Sequence, residues 1–124
     1  MKPPSSPSDG ERTRREVLGD EHVDRAQEKT TEFTQPFQDF ITRYAWGDVW
    51  TRPGLDRRMR SAITLAALTS LKAENEIAMH VRAARRHGLT PEEIGEILLH
   101  TSVYAGLPAG NAAFAIAQKV LEEE

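Results

Sequence analysis

The sequence has four histidines and no cysteine, and one of those histidines has a neighbour that could make it reactive. Glu76 lies four residues before His80 in the run Glu74-Asn75-Glu76-Ile77-Ala78-Met79-His80-Val81-Arg82. On a helix this spacing puts the two side chains one turn apart, where they can meet. A carboxylate beside an imidazole raises the imidazole pKa and fixes its tautomer, which suits a proton donor near neutral pH. The same spacing also describes a half-buried histidine paired to glutamate for helix stability. His100 sits one turn after Glu96 and one turn before Tyr104, with Glu96 expected to face solvent. His87 suits the last turn of a helix, where the dipole favours a cation. His22 lies in a polar early segment and has no assigned role.

Arginines form the second group. Arg57, Arg58, Arg60, Arg82, Arg85 and Arg86 have the spacing of solvated helix faces, whereas Arg52 lies between Trp50 and Pro53 in a segment of large side chains. An arginine beside a tryptophan in a constrained loop can hold a carboxylate bidentately, and packing explains the same residues as well. Packing is the simpler role for Trp46.

Other chemistries are excluded by what is missing. Without cysteine there are no disulfides, thiolate metal sites, thiol nucleophiles or redox dithiols. No Gly-rich phosphate loop, HExxH or GxSxG motif occurs, and the histidines show no paired metal-ligand spacing, so no metal is expected. A net charge of −3 argues against a nucleic-acid module. No apolar run is long enough for a membrane span, and no signal peptide is visible, so a cytoplasmic protein is expected.

The elements that must position these residues read as helices throughout. Residues 1–10 are rich in Pro and Ser and predict a disordered leader, with a single domain over 11–124. Helices are expected over Glu11 to Leu18, from an Asp20 cap to Lys29, and from Thr34 to Gly47, the last with Phe33, Phe37, Phe40, Ile41 and Tyr44 on one stripe. Residues Asp48 to Leu55 predict a loop, because Arg52 precedes Pro53 and Gly54 follows it. Further helices are expected from Asp56 to Leu71, Glu74 to His87, Thr90 to Ala105 and Asn111 to Leu121. Thr90-Pro91-Glu92-Glu93 predicts a capping box, and the three terminal glutamates predict a frayed last turn. The sum is an all-α bundle of six or seven helices. Its small side chains and the nearly all-apolar second half of the Asp56 helix suggest surface hidden in an oligomer.

Several separated motifs resemble one family. They are Ala45-Trp46-Gly47-Asp48-Val49-Trp50-Thr51-Arg52-Pro53-Gly54-Leu55, Arg60-Ser61, Glu76 with His80, Arg82-Ala83-Ala84 and Gly88, and Tyr104-Ala105-Gly106-Leu107-Pro108-Ala109-Gly110-Asn111-Ala112-Ala113. Val17-Leu18-Gly19 and His22-Val23-Asp24-Arg25 extend the likeness. Together they are similar to the carboxymuconolactone decarboxylase family, within the alkylhydroperoxidase D-like superfamily of all-helical trimers and hexamers. Redox members of that superfamily carry two cysteines where this chain has Ala73 and Glu76, and a glutamate near the place of Ser61. The histidine at the relay position, His80, is kept, so the resemblance implies a decarboxylase and excludes a dithiol peroxidase.

The resemblance implies cofactor-independent decarboxylation of a dicarboxylate lactone in protocatechuate catabolism. On that basis His80 is expected to give the proton or stabilise the dienolate, with Glu76 orienting it. Arg52 and Arg60 are expected to bind carboxylates, and Trp50, Tyr104 and His100 to line the substrate site. Two rivals stand beside this reading: a decarboxylase of another lactone or β-keto acid, and a non-catalytic oligomeric binding protein on the same scaffold.

Overall fold

The structure, a computed structural model, describes residues 7–124, with side chains from residue 9 onward. These residues form seven α-helices and one π-helical segment, without a β-strand. No helix among them is long and apolar enough to cross a membrane. The chain divides into two compact units, residues 1–55 and 56–124, and each is described by itself.

The first unit contains α1 (Pro7–Leu18), α2 (Asp20–Lys29), α3 (Gln35–Ile41) and the π segment (Thr42–Val49). Residues 1–6 of the expected leader lie outside the described residues, and residues 7–10 are helical, so α1 starts one turn before the expected Glu11. Asp20 is the first residue of α2 and not its cap; Gly19 joins the two helices with φ +93°. A side chain is disfavoured at such a φ, and glycine is not. Arg15 then clamps α1 to α2 through Asp20 and Asp24 at 3.1 and 2.9 Å, and pairs within α1 with Glu11 at 3.3 Å. The aromatic stripe of α3 exists but is not buried: Phe33, Phe37, Phe40 and Tyr44 are all exposed, and Phe40 stacks on Tyr44 with ring centroids 5.3 Å apart.

The helix after Thr34 does not stop at Gly47. It widens into the π segment and runs on through Asp48 and Val49, where a loop was expected. The Trp50 amide donates to the Ala45 carbonyl, five residues back, at 3.0 Å. Propensity cannot anticipate this wider turn, because packing and not residue preference selects it. α1 packs on this segment closely enough that Gly10 of α1 meets the backbone of Thr42.

The second unit holds α4 (Arg57–Ser70), α5 (Glu74–Arg86), α6 (Pro91–Ala105) and α7 (Leu107–Leu121). Asp56 caps α4 by accepting from the Met59 amide at 2.8 Å. α6 begins with the expected capping box. The Glu93 amide donates to Thr90 Oγ1 at 3.1 Å, and the Thr90 amide donates to Glu93 Oε1 at 2.9 Å. Gly88 follows α5 with φ +88°. α7 starts four residues before the expected Asn111, because Gly106 alone turns the chain (φ +102°) and Pro108 is tolerated in a first helical turn. Leu65, Ile77, Val81, Ile94, Leu98 and Ala113 centre the core of this unit, each large aliphatic contributing about 1.5–3 kcal/mol on burial. α4 is buried on one side only: Ser61, Leu65 and Thr69 point inward, while Ile63 stays half exposed.

Of the three terminal glutamates, where a frayed turn was expected, Glu123 and Glu124 make ion pairs. Glu123 pairs with Arg82 at 2.9 Å and Glu124 with Arg85 at 2.7 Å, while Arg58 pairs with Glu93. The bonds from Arg82 and Arg85 offset the unfavourable position of Glu123 and Glu124 at the negative end of α7. Each arginine holds its carboxylate below the usual range; at Glu93 the Thr90 amide is the larger cause, ahead of Arg58. A depressed carboxylate adds stability that is complete above its unfolded pKa and is lost as pH falls through its folded pKa. The urea midpoint is therefore expected to be level from neutral pH to about pH 5 and to fall below that. Arg85→Gln should flatten the acid limb, and an unchanged limb would remove Glu124 as a contributor.

Candidate active site

His80 is carried by α5, whose inward stripe is Ile77, Val81 and Ala84. The hydrophobic spacing of α5 turns His80 inward beside that stripe, and its side chain is only 7% exposed. The expected contact with Glu76 is not made. Glu76 is exposed, and among the described residues its carboxylate forms no hydrogen bond or ion pair. The reason is rotational: successive helical residues turn by about 100°, so Glu76 lies further from the core direction than His80. Its place in the first turn of α5, where a carboxylate suits the dipole, also favours solvent exposure.

The face of α4 carries a signal that residue types alone do not show. Ser61 and Thr69 are almost wholly buried, yet neither hydroxyl has a hydrogen-bond partner among the described residues. Thr64, Ser70, Thr101 and Ser102 instead donate to the carbonyl four residues back, at 2.7–2.9 Å. Buried hydroxyls that forgo this bond are costly unless something else engages them. Ser61 was part of a recognised motif but not one of the expected site residues. Its i, i+4, i+8 register with Leu65 and Thr69 was the available signal.

Thr69 lines a cavity of about 90 Å³ where the end of α4 meets the starts of α5 and α7, with Lys72, Glu74, Ile77, Pro108, Ala109 and Ala112. A larger apolar groove of about 420 Å³ lies along α6 and α7, between Ile94, Leu98, Phe114 and Leu121. Neither is lined by His80, Arg60, His100 or Tyr104. Arg60 is half-buried on α4, one residue before Ser61. His100 and Tyr104 are exposed on α6, with ring centroids 5.4 Å apart. Leu99, Val103 and Leu107 are exposed beside them. Among the described residues no group of three or more His, Asp or Glu side chains gathers as metal ligands would.

Trp50 and Arg52 belong to the first unit. Trp46 is buried in the π segment, and the Trp50 ring lies 5.1 Å from it, so both tryptophans have a packing role. The hydroxyl of Thr51 donates to the Gly47 carbonyl, and the Arg52 amide donates to Val49 at 3.0 Å. These bonds close the end of the π segment and present the Arg52 side chain at an exposed turn. Of the expected site residues, Trp50 and Arg52 thus lie in one unit and Arg60, Glu76, His80, His100 and Tyr104 in the other.

Helices alone among the described residues, a buried histidine on α5, and non-cysteine residues at Ala73 and Glu76 define a cysteine-free, all-α protein of the kind the motifs suggested. The sequence profile of the carboxymuconolactone decarboxylase family matches residues 35–119, and the chain belongs to that family. It is 50% identical over 114 residues to 4-carboxymuconolactone decarboxylase of Acinetobacter baylyi (strain ATCC 33305 / BD413 / ADP1), covering 92% of this chain and 85% of the relative. It is 44% identical over 115 residues to nitrosuccinic acid decarboxylase npaB of Metarhizium robertsii (strain ARSEF 23 / ATCC MYA-3075), covering 93% and 80%. A 4-carboxymuconolactone decarboxylase sequence of Pseudomonas putida is 56% identical over 39 residues, which is 32% of this chain and 81% of that sequence.

Proposed function

We propose that this protein decarboxylates 4-carboxymuconolactone to the β-ketoadipate enol-lactone in protocatechuate catabolism, without a cofactor. The observation that carries the reading is the 50% identity to a 4-carboxymuconolactone decarboxylase across 92% of the chain. The chemistry needs little from the protein. The bond from the γ carbon to its carboxylate breaks, and CO2 leaves. The electron pair spreads through the ring C=C into the lactone carbonyl, and a proton is then added at the α carbon. The substrate is its own electron sink, so the protein's tasks are binding a dianion, stabilising the developing oxyanion and delivering one proton.

In this reading His80 is the proton donor or the charged stabiliser of the dienolate. Arg52 and Arg60 hold carboxylates, and Trp50, Tyr104 and His100 wall the ring. Glu76 acts as a local carboxylate near His80 and not as a hydrogen-bonded partner, since the two do not touch. The exposed Leu99, Val103, Tyr104 and Leu107 support assembly into a trimer or hexamer that covers this face. A cytoplasmic location and one domain over residues 11–124 belong to the same reading. Supplying carboxymuconolactone to chelator-treated protein is expected to release CO2 stoichiometrically, and Arg52→Ala to raise KM about tenfold or more. An inert protein would overturn the function; an unchanged KM would return Arg52 to a structural role.

A decarboxylase of a different acid is the second reading. The 44% identity to a protein named nitrosuccinic acid decarboxylase favours it. Nitrosuccinate also carries two carboxylates and an internal electron sink, so the same residues would serve. Comparing kcat/KM for the lactone and nitrosuccinate decides between them.

A further inference from the structure

The first unit contains a polar cavity of about 700 Å³ that no step of the decarboxylation uses. Its lining includes Arg14, Gln38, Thr42 and Arg43, with Glu11 and Asp39 also at its wall. Arg14 is the unusual member. It sits on the inward side of α1 beside Thr13, Val17 and Leu18, and is only 8% exposed.

A buried guanidinium normally has a carboxylate, because the cost of taking its charge out of water is otherwise uncompensated. Arg14 has none among the described residues. Its Nη1 donates to two neutral acceptors, Gln38 Oε1 at 3.1 Å and Thr42 Oγ1 at 3.5 Å. Its Nε is buried with no acceptor. The two carboxylates of the wall are engaged elsewhere. Glu11 accepts from Arg15 at 3.3 Å and from Gln27 at 2.9 Å, and Asp39 accepts from Gln35 at 2.8 Å. The next residue shows the contrast: Arg15 is surrounded by carboxylates, which raise its pKa, while burial lowers that of Arg14. Arg43 adds a second positive group at the exposed rim.

We propose that this cavity is a binding site for a small carboxylate, which supplies the counter-ion that the fold leaves out. Nη1 is already committed to holding the guanidinium in place and Nε has no accessible surface, so a carboxylate would meet Arg14 at Nη2 and gain the bidentate contact with Nε through a small shift of the side chain. The amides and hydroxyls around the cavity suit a ligand with further polar atoms, and its volume is far larger than a single halide needs. The site is independent of the decarboxylation chemistry, since none of its residues belongs to the proposed active site.

Succinate is the probe, titrated into the whole protein with [15N]arginine labelling, against sodium chloride at matched ionic strength. The buried Nε–H resonance of Arg14, assigned by its loss in Arg14→Met, is expected to shift and saturate with succinate and not with chloride. Gln38→Glu places a carboxylate where Nη1 already donates. It is expected to raise the thermal midpoint and to weaken succinate binding at that resonance by about tenfold or more. His80→Ala should leave the succinate shift intact, which separates this site from the active site even if the decarboxylase reading fails. No shift with succinate, an equal shift with chloride, or undiminished binding in Gln38→Glu would each overturn the proposal.

Discussion

His80→Ala is expected to lower kcat by roughly 10²–10⁴, the usual contribution of a positioned acid or base, while KM changes far less. His80 is an ionisable side chain held inside the second unit on a helix face otherwise given to Ile77, Val81 and Ala84. An imidazole there is costly to bury, and its benefit would be realised in the transition state, when negative charge spreads onto the ring and a proton is required. Loss in kcat with little change in KM is the mark of an interaction made mainly in the transition state. The substitution also removes buried volume, so thermal unfolding must be measured beside turnover. His80→Asn, which keeps a polar group of similar reach without a titrating proton, should be as inactive as alanine and more stable. Partial recovery with added imidazole would place the lost function in the ring itself. Near-normal turnover in both variants would remove His80 from the mechanism and shift attention to Arg60 and the buried hydroxyl of Ser61.

Gly10→Ala is expected to destabilise the first unit by about 1–3 kcal/mol or more. A Cβ at Gly10 would lie 2.1 Å from the Thr42 carbonyl oxygen and 2.9 Å from its carbon. Those atoms are backbone, so no rotamer change relieves the clash; α1 and the π segment must separate. Gly110 also sits at a close helix contact, where its added Cβ would lie 2.0 Å from Ser102 Oγ and 2.8 Å from Ser102 Cβ. There the hydroxyl can rotate, although the Ser102 Cβ still forces some adjustment. Gly10→Ala should therefore lower the thermal midpoint more than Gly110→Ala. An equal or smaller loss at Gly10 would mean that α1 docks less rigidly than its packing indicates. The site of this prediction is a residue that composition assigned to a disordered leader. Proline and serine nearby concealed a helix whose stability comes from packing against residues some thirty positions away, which is why local sequence could not announce it.

Helix identity was legible at several positions where local chemistry sets it, although Asp20 starts α2 without capping it. Thr90 and Glu93 cap α6, Asp56 caps α4, and Gly88 follows α5, because each satisfies backbone groups within a few residues. The motifs around Trp50, His80 and Gly106 were enough to indicate the family for the same reason: residue type and order are properties of the chain itself. Boundaries set by packing were not legible. The π segment extends through Asp48 and Val49, α7 begins at Leu107, and Glu123 and Glu124 are tied to Arg82 and Arg85 on a helix almost forty residues earlier.

For the candidate site, sequence alone determined which groups are present: a histidine on an apolar helix, a carboxylate one turn before it, arginines suited to anions, and no thiol anywhere. Tertiary structure decided what those groups can do. It buried His80 while leaving Glu76 in solvent, since a difference of a few tens of degrees around α5 separates core from water. It left the hydroxyls of Ser61 and Thr69 without the carbonyl bond that neighbouring hydroxyls take. It also buried Arg14 without an ion pair to any described carboxylate, although six acidic residues lie within ten positions of it in the chain. Burial and pairing depend on what the rest of the fold brings to each side chain, and that is long-range information a linear pattern does not carry.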